Sequence, residues 1–254
     1  MWKLRSRPNH VSMNQLQGKI ALITGASKGL GRAIGLAFAR EGAALALCSR
    51  SEVPLEAVAA ECRGLGADVL AVTADVADPA DRERLISHTL ARFGRIDVLV
   101  NNASTLGPTP LPPLADTDPE AFEEVVRVNL IAPFLLARSV IGGMLLRGSG
   151  AVINLSSDAA VSGYPGWGGY SAAKAGLDAV SRVWSAELAG SRVTVVSVDP
   201  GDMDTEMHRA ALPDDDPAAL ARPEDVAPAF VRLALGGAPA ARVEARDLLQ
   251  AAAR

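Results

Sequence analysis

Tyr170 and Lys174 stand four residues apart in the run Tyr170-Ser171-Ala172-Ala173-Lys174. On a helix that spacing puts both side chains on one face. An ammonium beside a phenol favours the phenolate, so Lys174 is expected to draw the Tyr170 pKa down from about 10 towards neutrality. A phenol tuned in that way gives a proton to a carbonyl oxygen, or takes one from an alcohol.

A second cluster lies far upstream, in Thr24-Gly25-Ala26-Ser27-Lys28-Gly29-Leu30-Gly31. Gly25 suits a tight turn, Gly29 lets backbone approach a pyrophosphate, and Gly31 lets a helix pack closely. A helix that starts here offers unpaired N–H groups and the positive end of its dipole to phosphates. The Gly-Lys-Ser/Thr of a P-loop is missing, which excludes that alternative.

These residues need a scaffold that brings them to one edge. Apolar runs of strand length occur at Ile20 to Thr24, Ala44 to Ser49, Val69 to Ala74, Val98 to Asn101, Ala151 to Leu155 and Val193 to Val198. Longer helical patterns separate them, at about 30–40, 54–65, 79–92, 119–146 and 170–188. Strands that are continuously apolar rather than alternating imply a sheet buried on both faces. Strand–helix alternation with right-handed crossovers gives an α/β fold, a doubly wound parallel sheet of Rossmann type with helices on both faces. In such sheets, ligands bind outside the carboxyl ends of the strands. Asp75-Val76, Asn101-Asn102-Ala103 and Ser156-Ser157 all fall on that edge. At the end of the second strand, Cys48-Ser49-Arg50-Ser51 carries no carboxylate before Glu52. An NAD site places an acid there for the ribose hydroxyls, whereas Arg50, with help from Lys28, suits a 2′-phosphate. NADP(H) is therefore expected.

Composition agrees with one catalytic domain over residues 18–254, preceded by a leader over 1–17. Hydrophobic residues make up 49% of the 254, enough for a large core, while aromatics at 4% are too few for a stacking-based nucleic-acid binder. The net charge of −4 is spread without a basic block, so neither nucleic acid nor an anionic membrane is an expected partner. Cys48 and Cys62 are too few for a disulfide framework or a zinc site, and no metal is expected. No uninterrupted apolar stretch reaches the length of a membrane span, and the basic N-terminus lacks a signal peptide's apolar core, which makes the cytoplasm the expected compartment.

With these motifs in order, residues 18–235 resemble the short-chain dehydrogenase/reductase family in its compact single-domain branch. The resemblance rests on residues 24–31, Asp75-Val76, Asn101-Asn102-Ala103, Asn129, Ser156-Ser157, residues 170–174 and Pro200-Gly201. It implies that Ser157, at the family's distance before Tyr170, binds the substrate oxygen. It implies too that Lys174 holds the nicotinamide ribose and that Asn129 keeps a water in a proton relay. Gly25, Ser27, Lys28, Gly29, Leu30 and Gly31 would cradle the dinucleotide. Asp75 and Val76 would contact the adenine, Ala103 would lie against the adenosine side, and Asn102 would join them in binding the cofactor. Asn101 would fix the central strands, and Pro200, Gly201 and Thr205 would contact the nicotinamide.

Leu106, Tyr164, Trp167, Met203 and Met207 are the candidate walls of a substrate pocket for a medium-sized ketone, aldehyde or secondary alcohol. Asp158 either selects a polar substrate or caps backbone. Asp202, Asp204, Glu206, Asp214, Asp215 and Asp216 load the segment after Pro200 with negative charge, in the region where the family carries a mobile lid. The family's closing Asp-Gly-Gly is absent, which leaves a seventh strand near 241–245 open. By analogy, the two long helices, with Trp184, form a homo-oligomer contact giving a dimer or tetramer. The leading reading is a carbonyl reductase or alcohol dehydrogenase. A cofactor-binding sensor without turnover is the alternative, although such relatives tend to lose the Tyr or the Lys.

Overall fold

The computed structural model describes residues 14–252. Among the described residues, seven strands form one parallel sheet, in the order β3-β2-β1-β4-β5-β6-β7. They are β1 (Ile20–Thr24), β2 (Ala44–Ser49), β3 (Val69–Thr73), β4 (Val98–Asn101), β5 (Gly150–Leu155), β6 (Val193–Asp199) and β7 (Arg242–Glu244). All five residues of β1 are buried, as a central strand covered on both faces requires. Alternation then sorts the core into two layers: Ile23, Leu45, Leu47, Val100 and Ile153 face one side, while Leu22, Ala46, Leu99 and Val152 face the other.

Helices α1 (Gly29–Arg40) and α2 (Glu52–Gly64) cover the first side, joined by α8 (Pro223–Val226), α9 (Pro228–Ala234) and α10 (Ala245–Ala252). Helices α3 (Pro79–Phe93), α5 (Ala132–Arg147) and α6 (Gly168–Glu187) cover the second. Local chemistry starts them. Asp78 caps α3 by accepting from the Asp81 amide at 2.8 Å, and Asp118 caps α4 (Pro119–Val126) through the Ala121 amide at 3.1 Å. Each acid is followed by a proline at the first helical position, where no N–H is missed.

The helix expected over 119–146 is not uniform. Between α4 and α5 the chain makes a π-helical turn, Arg127–Ile131. Pro133 has no N–H to give to the carbonyl four residues back, on Asn129, and its ring crowds that carbonyl, so the turn widens. By length and composition the combined span Pro119–Arg147 is apolar enough to cross a membrane, contrary to the reading from uninterrupted runs. Polar residues such as Asn129 and Ser139 break the run without lowering its average much. Half of that apolar window is buried, with Leu136, Val140 and Met144 packed against the sheet, as in a core helix.

One end differs from expectation, and the other answers a question the sequence leaves open. Leu16 is fully buried and its amide donates to the Glu41 carbonyl at 2.9 Å, so the packed structure extends upstream of residue 18. Residues 1–13 of the expected leader lie outside the described residues. At the other end the seventh strand forms, with Ser197 opposite Arg242 and Val198 opposite Val243. It is only three residues long and polar at both ends, which is why hydropathy left it open.

Candidate active site

The chain leaves β1 to one side and β4 to the other, so a crevice opens between their carboxyl ends. Thr24 ties the two ends together: its hydroxyl accepts from the Asn102 and Ala103 amides, both at 3.0 Å. The Asn102 side chain returns the favour, donating to the carbonyls of Thr24 (2.9 Å) and Gly25 (3.0 Å). This packing dictates two glycines. Gly25 has φ +65°, and a Cβ there would lie 2.8 Å from the Ala103 Cα. A Cβ on Gly31 would meet the Gly25 carbonyl oxygen at 2.2 Å, so Gly31 serves closure of the loop itself.

A single cleft of about 430 Å³ runs along this edge. It is lined by Gly25, Ser27, Lys28, Gly29 and Leu30 from the loop, by Arg50 after β2 and by Asp75 and Val76 after β3. Asn102 and Ala103 follow from β4, Tyr170 and Lys174 from α6, and Pro200, Met203, Thr205 and Met207 from the segment after β6. Gly201 sits beside them at φ +77°. Lys28 gives no side-chain cap to α1, so the first amides of that helix stay open to an anion. The buried hydroxyl of Ser156 lines the cleft without a hydrogen-bond partner, and that of Ser104 has only the Tyr170 phenol beside it. Open amides, an unpartnered hydroxyl and a basic rim fit a phosphorylated, hydroxyl-rich ligand such as a dinucleotide.

Tyr170 lies in the first turn of α6 and Lys174 one turn on, both buried. Lys174 Nζ donates to the Leu155 carbonyl at 2.6 Å, which pins α6 to the end of β5. The same nitrogen sits 5.4 Å from the centre of the Tyr170 ring. The expected fall in the Tyr170 pKa is not found. Burial pushes the phenol up to about 12, although the Ser104 and Ser157 hydroxyls favour its ionised form; the carboxylates of Asp199 and Asp158 push it further up. Burial also brings Lys174 down to about 8, against the pull of Asp178. Desolvation sets both shifts, and neither group contributes to the shift of the other.

Ser157 accepts from the Ala159 amide at 3.1 Å, capping a short 3₁₀ turn, and donates to Asp158 Oδ1 at 2.9 Å. The hydroxyl takes the capping bond, and the Ala159 amide lies close enough to favour the Asp158 carboxylate as well. Asp158 Oδ2 accepts from the Tyr164 hydroxyl at 2.6 Å. Trp167 stands edge-on to Tyr164 and Tyr170, with ring centres 6.5 and 5.5 Å away. Leu106 packs with Trp167 and Tyr170 and lines a small second pocket, whereas Met203 and Met207 line the main cleft, and Tyr170 borders both. The pocket walls named from sequence thus divide into two groups that meet at Tyr170.

Asn129 is fully buried in the π turn, where its Oδ1 accepts from the Thr105 amide and its Nδ2 donates to the Thr105 carbonyl. The acid-rich segment is largely spent on local partners. Glu206, at the start of α7 (Glu206–Ala211), pairs with Lys28 across the cleft, Asp204 with Arg209, and Asp215 with His208 at 2.9 Å. Thr205 caps α7 through the His208 amide.

Two groups escaped the sequence reading. Ser104 follows directly on the Asn102-Ala103 motif and could have been read as its continuation. Arg242, on β7, bonds Asp178 of α6 (2.9 Å), Asp199 (3.2 Å) and the Ser157 carbonyl (3.2 Å). No local sequence signal announces it.

The sequence model of the short chain dehydrogenase family matches residues 19–216. The chain belongs to the short-chain dehydrogenase/reductase family. Like other members of that family it is an oxidoreductase acting on small molecules with a dinucleotide. A 3-oxoacyl-[acyl-carrier-protein] reductase of Synechocystis sp. is 40% identical over 196 residues, covering 77% of this chain and 78% of the relative. Levodione reductase superposes with a TM-score of 0.83 at 30% identity, covering 90% of this chain and 96% of that one. An actinorhodin polyketide ketoreductase solved with NADPH gives 0.82 at 28% identity, with coverage of 91% and 97%.

Proposed function

We propose that the protein is an NADP(H)-dependent carbonyl reductase, acting in reverse as an alcohol dehydrogenase. The observation that carries this is the shared cleft: the Tyr170 phenol, with Lys174 Nζ 5.4 Å from its ring, opens into the space that the glycine loop borders. A nicotinamide held in this cleft would supply or accept the hydride. Tyr170 stays protonated at neutral pH, so it gives its proton to the carbonyl oxygen as the carbon is reduced. Ser157 steadies the developing charge on that oxygen. Lys174, charged below about pH 8, holds the ribose hydroxyls next to the phenol. Asn129 keeps its family role in the relay through its backbone carbonyl, which Pro133 leaves without its helical partner.

Arg50 supports NADP(H), because it is exposed on the cleft at the end of β2, where no carboxylate competes. Lys28, held by Glu206, contributes charge at the same rim. The ketoreductase solved with NADPH points the same way. Leu106, Tyr164, Trp167, Met203 and Met207 shape a pocket for a medium-sized ketone or secondary alcohol. A homo-oligomer forms through α5 and α6, where Phe134 stacks on Trp184 at 5.3 Å beside exposed Ile131 and Leu145. The cytoplasm is the compartment that suits this activity.

The test is NADPH consumption by the purified protein with a panel of ketones, including a 3-oxoacyl thioester. Turnover with NADPH supports the reading. Tight NADPH binding without turnover on any ketone contradicts it and favours a sensor.

A further inference from the structure

The Ser157 hydroxyl has a single proton, and hydrogen-bond geometry gives it to Asp158 in preference to the Tyr170 phenol nearby. Ser157 Oγ donates to Asp158 Oδ1 at 2.9 Å, and the Ala159 amide occupies one of its lone pairs. A substrate carbonyl oxygen needs that same proton as a donor. A charged acceptor holds a hydroxyl proton more strongly than a neutral carbonyl does.

Asp158 is well fitted to keep its charge. Burial works against it, but the hydroxyls of Tyr164 and Ser157 and the neighbouring amides outweigh burial and hold the carboxyl below the usual range. It is nevertheless exposed, with Tyr164 half-exposed beside it and Trp167 between Tyr164 and the Tyr170 ring. The carboxylate is therefore open to solvent at the end of an aromatic row that leads to the phenol.

We propose that Asp158 is a specificity-determining residue. It holds the Ser157 proton away from the substrate oxygen until a hydrogen-bond donor on the substrate takes that proton's place. The favoured substrates are ketones that carry a hydroxyl or an ammonium group close to the carbonyl, and the corresponding amino alcohols or diols in the reverse direction. A plain ketone has nothing to offer the carboxylate and meets a serine already engaged. This rests on the hydride-transfer reading and names the substrate class within it.

The experiment compares kcat/KM for NADPH-dependent reduction of pentan-2-one, 4-hydroxybutan-2-one and protonated 4-(dimethylamino)butan-2-one. Wild type, Asp158→Ala and Asp158→Asn are measured in parallel. One charge-assisted hydrogen bond gives wild type at least about a tenfold preference for a donor-bearing ketone. A larger preference for the ammonium arm assigns an amino ketone, and a larger one for the hydroxyl arm a hydroxy ketone. In Asp158→Ala the ratio collapses towards unity, mainly because pentan-2-one is reduced faster. Asp158→Asn keeps the shape and loses the ammonium preference.

An unchanged ratio in Asp158→Ala overturns the proposal, and so does an equal loss on all three ketones, which would mark a merely structural role. Asp158 is exposed, and unchanged NADPH binding in each variant confirms the fold. Failure of wild type to reduce any arm overturns the parent reading and the inference together. Tyr170-dependent reduction with an unaltered ratio overturns the inference alone.

Discussion

Asn129 holds Thr105 from both sides, its Oδ1 3.0 Å from the Thr105 amide and its Nδ2 2.7 Å from the Thr105 carbonyl. The clasp joins the π turn between α4 and α5 to the loop that follows β4. That loop carries Ser104, one of the hydroxyls acting on the Tyr170 phenol. A residue on a helix thus sets the loop that faces the Tyr170 phenol.

Asn129→Ala leaves both backbone groups of Thr105 without a partner. Each unsatisfied buried group costs about 1–3 kcal/mol, so the variant should lose roughly 3 kcal/mol of stability in urea unfolding. Asn129→Asp keeps the acceptor but turns an oxygen towards the Thr105 carbonyl, and should lose at least as much. A loss below about 0.5 kcal/mol for either would show that the clasp is not holding the loop.

Arg242 neutralises two carboxylates, and one of them, Asp178, is only 2% exposed. Arg242→Met strands that charge, and removing one partner of a buried pair typically costs about 3–5 kcal/mol. The variant should therefore melt well below wild type. The double variant Arg242→Met/Asp178→Leu should recover much of the loss. Equal melting temperatures for wild type and Arg242→Met would contradict this account of the C-terminal strand.

Cofactor choice should turn on Arg50. Arg50→Asp replaces the cation proposed to bind a 2′-phosphate with an acid suited to ribose hydroxyls. The ratio of kcat/KM for NADPH over NADH should fall by about tenfold or more. An unchanged ratio would mean that the phosphate is read elsewhere on the rim.

The alkaline limb of the pH profile should belong to Lys174. Burial lowers its pKa to about 8, so the ammonium is present below that pH and lost above it. Tyr170, raised to about 12 by burial, stays protonated across the same range. With NADPH as the varied substrate, kcat/KM reports the free enzyme and should decline above about pH 8. A flat profile to about pH 10, the ordinary lysine range, would contradict a desolvated Lys174.

Much of this architecture was legible in the sequence because the strands are buried on both faces. Ile20 to Thr24 and Val98 to Asn101 are short and continuously apolar, and that pattern has few other uses. The glycine loop was legible for a related reason: Gly25 and Gly31 stand where backbone leaves no room for a Cβ. Tyr170 and Lys174 could be paired from spacing alone. The direction of their pKa shifts could not, because desolvation depends on what surrounds them and not on their separation. The π turn was missed because the run around Asn129 still reads as helix, with only Pro133 hinting at a widened turn. Arg242 was invisible for a third reason: its partners Asp178, Asp199 and Ser157 are distant in sequence and meet only once β7 joins β6.

The most direct test of the central claim is Tyr170→Phe, assayed for ketone reduction and for NADPH binding side by side. The hydroxyl alone is removed and the ring stays between Trp167 and Lys174, so NADPH affinity should be nearly unchanged. Turnover should fall by about a thousandfold, the scale of a lost general acid. Reduction within about tenfold of wild type, with the protein folded and NADPH bound, would contradict the assignment of Tyr170 as the proton donor.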